Sequence, residues 1–131
     1  MLLTVLQPTS ITATHLHWLQ LVCSMDYTGV QPKHYLADAL EGKVLLWDFD
    51  SGNGIVLTQL LQHPAGKEVF ILGLAGTGLI RKVKTLNEII QTYAECVGAR
   101  WIGGNVVNAR LVPVYEKLLG KSFGVKCFRE V

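Results

Sequence analysis

Two stretches of the sequence gather residue types that can do chemistry. The first, Gly73-Leu74-Ala75-Gly76-Thr77-Gly78, separates an apolar run from a basic segment holding Arg81, Lys82 and Lys84. Glycines let the backbone approach a ligand closely, and free amides at a helix start, helped by the helix dipole, suit a phosphate. A flexible strand-to-helix turn with solvated lysines is the competing reading. No Gly-Lys-Ser/Thr follows, so the turn is not a P-loop, and no acidic residue stands where a dinucleotide fold wants its ribose contact. The second stretch runs from Asn108 to Gly120. Asn108 would end a strand and cap a helix, and Tyr115, seven residues on, would lie two turns further along the same side. An amide and a phenol could then face one cleft, where a held tyrosine can protonate a leaving group. An aromatic at the core edge with a wet hydroxyl is the plainer alternative.

Other reactive side chains are scattered. Cys23, Cys96 and Cys127 are odd in number and widely spaced, without a CxxC pair, which fits free thiols in a reducing compartment. His15 and His17 would lie on different faces of a helix, and His34 and His63 stand alone, so no metal is expected. Asp48, Glu68 and His63 are each possible general bases, and no spacing singles one out. Charge is divided along the chain: residues 1–50 sum to −3 and residues 51–131 to +5. The C-terminal part should prefer an anionic partner. A small phosphorylated ligand fits this as well as nucleic acid does, because the basic residues form no run. Nucleic acid ranks lower still because Trp18, Trp47 and Trp101 fall inside predicted elements, where packing is the usual role.

The elements that must position these residues can be read from periodicity. Leu2–Gln7 reads as an edge strand stopped by Pro8; Ser10, Thr12 or Thr14 can cap a helix over about 12–25, and Pro32 opens a second over about 32–41, stopped at Gly42. Lys43–Phe49 and Ile55–Leu61 flank the turn-rich Asp50-Ser51-Gly52-Asn53-Gly54 and predict a β-hairpin. A third strand, Glu68–Ala75, is apolar enough to be covered on both faces. Leu79, Val83, Leu86, Ile90, Ala94 and Val97 form a helical stripe closed by Gly98, starting at about 78 or, by the Thr85–Glu88 capping box, at about 86. Arg100–Val107 is the next strand, Asn108 starts a helix ending near Gly120, and Phe123–Val131 is a last strand. Pro113 should kink that helix or delay its start. With 131 residues, half of them hydrophobic, the chain fits a single domain over 1–131.

This element order, the Gly-rich turn after a central strand, and Asn108 followed seven residues later by Tyr115-Glu116-Lys117-Leu118 resemble the GNAT superfamily of acetyl-CoA-dependent N-acyltransferases. The Gly-Leu-Ala-Gly turn, the long helix and its Cys-x-Gly-Ala type ending are similar to small, divergent members found in bacteriophages and prophages. The resemblance covers most of the chain in architecture and residues 68–120 in motif. It implies a three-layer α/β (α+β) fold, with a mixed, mostly antiparallel central sheet of about six strands flanked by about four helices. It further implies acetyl-CoA as co-substrate, with Leu72, Gly73 and Leu74 beside the pantetheine arm and Gly76, Thr77 and Gly78 in the phosphate loop. Asn108 would bond the cofactor and Tyr115 would be the proton donor. Gly73 stands where the family has Gln or Arg, and Lys121-Ser122 interrupt the usual run into Phe123.

The activity implied is direct acetyl transfer to an amine or protein acceptor, with a homodimer as the candidate assembly. The alternative is a non-catalytic phage protein of the same fold that binds a host or virion protein. The acidic N-terminal part would flank the acceptor side and suits a cationic amine. The apolar runs are too short to span a bilayer, and Met-Leu-Leu-Thr-Val-Leu lacks a basic n-region and meets Pro8 at once. No membrane partner is therefore expected, and the expected location is cytoplasmic, the host's if the chain is phage-encoded.

Overall fold

A computed structural model describes residues 3–26, 28–105, 113, 122–123 and 126–131. Strand β1 (Leu3–Leu6) is followed by a short 3-10 turn at Pro8–Ser10, helices α1 (Ala13–Ser24) and α2 (Pro32–Leu40), and strands β2 (Leu45–Phe49), β3 (Gly54–His63) and β4 (Gly66–Gly76). Helix α3 (Leu79–Cys96) leads to β5 (Trp101–Asn105), and β6 (Ser122–Phe123) and β7 (Lys126–Glu130) follow. The fold is mixed α+β.

Local chemistry accounts for the helix starts. Thr12 caps α1: its Oγ1 accepts the His15 amide at 3.3 Å, and its own amide donates to His15 Nδ1 at 3.1 Å. This is a capping box with histidine in the place usually held by Glu or Gln. At α2 half of the arrangement recurs: the Gln31 amide donates to His34 Nδ1 at 2.9 Å, while the His34 amide donates to the Gln31 backbone carbonyl at 2.9 Å, and Pro32 occupies the first turn. Helix α3 begins at Leu79, behind Gly78, and not at residue 86. Val83, Leu86, Ile90 and Ala94 continue the stripe that Leu79 opens, and burying all of it on the sheet outweighs the capping box inside the helix.

The sheet runs β1-β2-β3-β4-β5-β7-β6, and every neighbouring pair is antiparallel except β4 and β5. One face packs Trp47, Phe49, Val56, Val69 and Ile71 against the α3 stripe. The other packs Leu46, Ile55, Leu57 and Ala75 against Leu19 and Val22 of α1 and Tyr35 of α2. The alternation along each strand thus divides the apolar residues between two cores, giving three layers. The last apolar run, expected as one strand over Phe123–Val131, is divided between β6 and β7, which pair as a hairpin beyond β5. The described residues hold three complete α-helices; of the fourth, expected over 108–120, they include Pro113 alone, which is helical.

Candidate functional site

Strand β4 carries the irregularity that marks a site. Along β3, Leu57 faces Gly73 while Thr58 faces Ile71, so Leu72 is the extra residue of a β-bulge. On its other side β4 pairs with β5 from Glu68–Trp101 to Ile71–Gly104, while β4 itself runs on to Gly76. Among the described residues, the only parallel ladder in the sheet therefore ends one residue before the bulge. Beyond it, the β5-facing edge of Leu72–Gly76 has no ladder partner among those residues. A bulge leaves its extra residue outside the ladder and turns backbone groups away from the regular pairing.

The glycines of this stretch are fixed by close packing. A Cβ on Gly73 would overlap Val22 Cγ1, so this glycine lets α1 lie against β4. A Cβ on Gly76 would come within 2.8 Å of both Asn53 O and Gly54 Cα, and one on Gly54 within 2.6 Å of Ala75 O. The end of β4 thus touches the β2–β3 turn backbone to backbone. Thr77 donates its amide to Asn53 O at 2.8 Å, which commits that amide to the turn. Gly78 takes the left-handed conformation (φ 74°) as N-cap of α3 and offers no side chain, so no side chain caps the first turn. Arg81 and Lys82 follow in that turn. Lys82 pairs with Asp50 and lies 5.3 Å from the Phe49 ring centroid.

Leu72, Gly73 and Leu74 are therefore brought together with Gly76, Thr77 and Gly78 along one strand and the turn that follows it. The Leu74 side chain is buried in the α3 core, which leaves its backbone as the part that can meet a ligand. Asn108 and Tyr115 lie outside the described residues.

The three candidate bases occupy two different places. Asp48, on β2, is buried with His15: His15 Nδ1 accepts the Thr12 amide, so the ring proton is on Nε2, which donates to Asp48 Oδ1 at 2.7 Å. His63 and Glu68 form one pair instead of two separate candidates. His63 Nε2 donates to Glu68 Oε1 at 2.8 Å; the carboxylate side chain is 3% exposed and the imidazole 40%. Trp101, opposite Glu68, meets the His63 ring edge-on at 6.1 Å and carries the Arg100 guanidinium at 4.7 Å from its ring.

The sequence did not reveal the His15–Asp48 pair or the Gly54–Gly76 contact. The partners are 33 and 22 residues apart, and only the dense turn signal at 50–54 marked the region. In the turn, Asp50 (φ 49°) and Ser51 (φ 56°) are left-handed without being glycine. Gly52 donates its amide to Asp48 Oδ1 at 2.9 Å and accepts the Trp18 indole N–H at 2.9 Å. Cys23 and Cys96 are free thiols. Burial, then Asp26, pushes the Cys23 thiol up, and the same causes, followed by Cys23 and Asp38, push the Tyr35 phenol up to about 12. Among the described residues no three His, Cys, Asp or Glu side chains converge as a metal site would require, and no helix is long and apolar enough to cross a membrane.

No protein-family model matches the chain, and no curated protein matches it significantly.

Proposed function

We propose that the chain is a divergent GNAT-like N-acetyltransferase that moves the acetyl group of acetyl-CoA to an amine by direct attack. The observation that carries this reading is the Leu72 bulge in the central strand β4, between its parallel ladder with β5 and the Gly76–Gly78 turn into α3. A bulged central strand that leads into a helix start offers backbone groups along its length and suits an extended thioester with an anionic tail. The pantetheine arm would run along the backbone of Leu72, Gly73 and Leu74. The pyrophosphate would meet the first amides of α3 beyond Gly76 and Gly78, with Arg81 close by. Thr77 would contribute its hydroxyl, since its amide is committed to Asn53. Asn108 would bond the cofactor.

The amine nitrogen attacks the thioester carbonyl, the oxyanion is held by a β4 amide near the bulge, and the C–S bond breaks as Tyr115 protonates the departing thiolate. Glu68 lies four residues before Leu72, about 13 Å along the strand. The amine proton would therefore reach the Glu68–His63 pair through water. A homodimer and a cytoplasmic location fit this reading.

Calorimetric titration with acetyl-CoA tests it. The expected result is micromolar binding, with thiol release from an amine panel falling roughly 100-fold or more in Tyr115→Phe. No heat at millimolar cofactor would overturn it. One observation favours a non-catalytic protein of the same architecture that binds a host or virion protein: Gly73 packs under Val22 where the resemblance asks for a polar Gln or Arg. Silence in the calorimeter from a folded chain selects that reading.

A further inference from the structure

A second cleft opens on the β1–β2 side of the sheet, and the acyl-transfer reading makes no use of it. It has a volume of about 490 Å³, its floor is Asp48 with His15, and its walls are Thr4 of β1, the start of α1 at Thr12 and Thr14, and the turn from Ser51 to Asn53. Its floor on β2 is two strand spacings from β4, about 10 Å, while its Asn53 wall meets the end of β4, where Thr77 donates its amide to Asn53 O. We propose that this cleft is a binding site for a small ligand bearing a primary ammonium group, with Asp48 as its counter-ion.

Three observations carry the assignment. First, Asp48 is only 8% exposed, and its Oδ1 alone takes both bonds from the protein, the His15 Nε2–H and the Gly52 amide. Among the described residues Oδ2 has no partner, and no fully buried side-chain oxygen there lacks one, so Oδ2 reaches the cleft that Asp48 lines. A carboxylate held from behind and open in front is preorganised for a charge-assisted bond to a donor. Second, among the described residues no lysine or arginine lines the cleft; the other polar side chains there are the hydroxyls of Thr4, Thr12, Thr14 and Ser51 and the Asn53 amide. A cation with hydroxyl or amine neighbours meets acceptors there, and the volume lies in the range of small-molecule sites.

Third, the wall is strained. Asp50 and Ser51 are left-handed without being glycine, and such strain gathers where a structure must hold a ligand clamp. Four contacts enforce it: the Gly52 amide on Asp48, the Trp18 indole on Gly52 O, the Thr77 amide on Asn53 O, and the Lys82–Asp50 pair.

The test is amide and indole NMR of the whole chain, titrated separately with ethanolamine, spermidine, glycerol and pyrophosphate. Ethanolamine and spermidine are expected to shift the Gly52 and Asn53 amides and the Trp18 indole N–H saturably, and glycerol to leave them unmoved. Asp48→Asn keeps an oxygen for the two bonds made by Oδ1 but removes the charge, and should weaken amine binding roughly tenfold. Thr14→Lys places a cation on the exposed rim without touching the floor and should weaken it similarly. Amines that leave the three signals unmoved, or that shift them equally in the wild type and both variants, overturn the proposal. So does saturable movement of both the Gly52 amide and the Trp18 indole by pyrophosphate and by no amine, which would assign the space to the start of α1. The Asn53 amide is left out of this comparison, because the Asn53 carbonyl accepts the Thr77 amide beside the start of α3. None of these outcomes depends on acetyl-CoA binding.

Discussion

Single residues decide several contacts that depend on the size or protonation of one group. Gly73 is the clearest. Adding one methyl there drives it into Val22, so Gly73→Ala should cost about 1–3 kcal/mol and lower the melting temperature by several degrees. Combining it with Val22→Ala should recover at least about 0.5 kcal/mol of the summed single costs if the clash is the cause. Tyr35 makes a different prediction. Its phenol is held protonated up to about 12, above the value near 10 expected unfolded, so the folded state binds the proton more tightly. That stability is complete below pH ~10 and is lost as pH rises towards ~12, amounting to about 2–3 kcal/mol. Urea unfolding across this window should show the loss in the wild type and a shallower one in Tyr35→Phe. Cys23 and Tyr93, both pushed up by burial, contribute in the same direction in both proteins.

At the scale of elements, the start of α1 and the β2–β3 turn act as one unit. Thr12 caps α1, fixes the His15 tautomer, and through His15 and Asp48 holds Gly52 of the turn. Thr12→Val keeps the side-chain shape, removes the cap oxygen and leaves the His15 amide without its acceptor. It should cost about 1–2 kcal/mol in chemical denaturation. The Trp18 indole N–H should also shift by NMR, because its acceptor is Gly52 O in the same turn. An unmoved indole would mean that cap and turn are independent.

Across the whole molecule, the two cores share one sheet. β3 and β4 are paired on both sides, and their Ile55, Val56, Ile71 and Leu74 are at most 1% exposed, whereas β1 is an edge strand with Val5 47% exposed. Amides of Val56 and Ile71 should exchange hydrogen only through global unfolding, and those of β1 by local opening at a lower free energy. Exchange measured with and without low denaturant separates the two. If β1 amides matched those of β3, the sheet would open as one unit.

Much of this architecture is legible in the sequence because it follows from local rules. The Ser10, Thr12 and Thr14 caps, Pro32 and the stripe from Leu79 to Ala94 act within a few residues and mark α1, α2 and α3 locally, while burial on the sheet chooses between the two starts open to α3. The apolar runs Lys43–Phe49 and Ile55–Leu61 around the dense turn signal at 50–54 likewise predict β2 and β3 and the turn between them. The Gly73–Gly78 cluster was visible as a place of close backbone approach, but not what approaches it. Its packing against Val22 and Gly54, and the commitment of the Thr77 amide to Asn53, depend on residues more than twenty positions away. The bulge at Leu72 depends on register between strands, which no local pattern records. The same limit hid the pairing of His63 with Glu68 and of His15 with Asp48: a side chain carries its donors and acceptors in the sequence, but only the tertiary fold selects which of them meet.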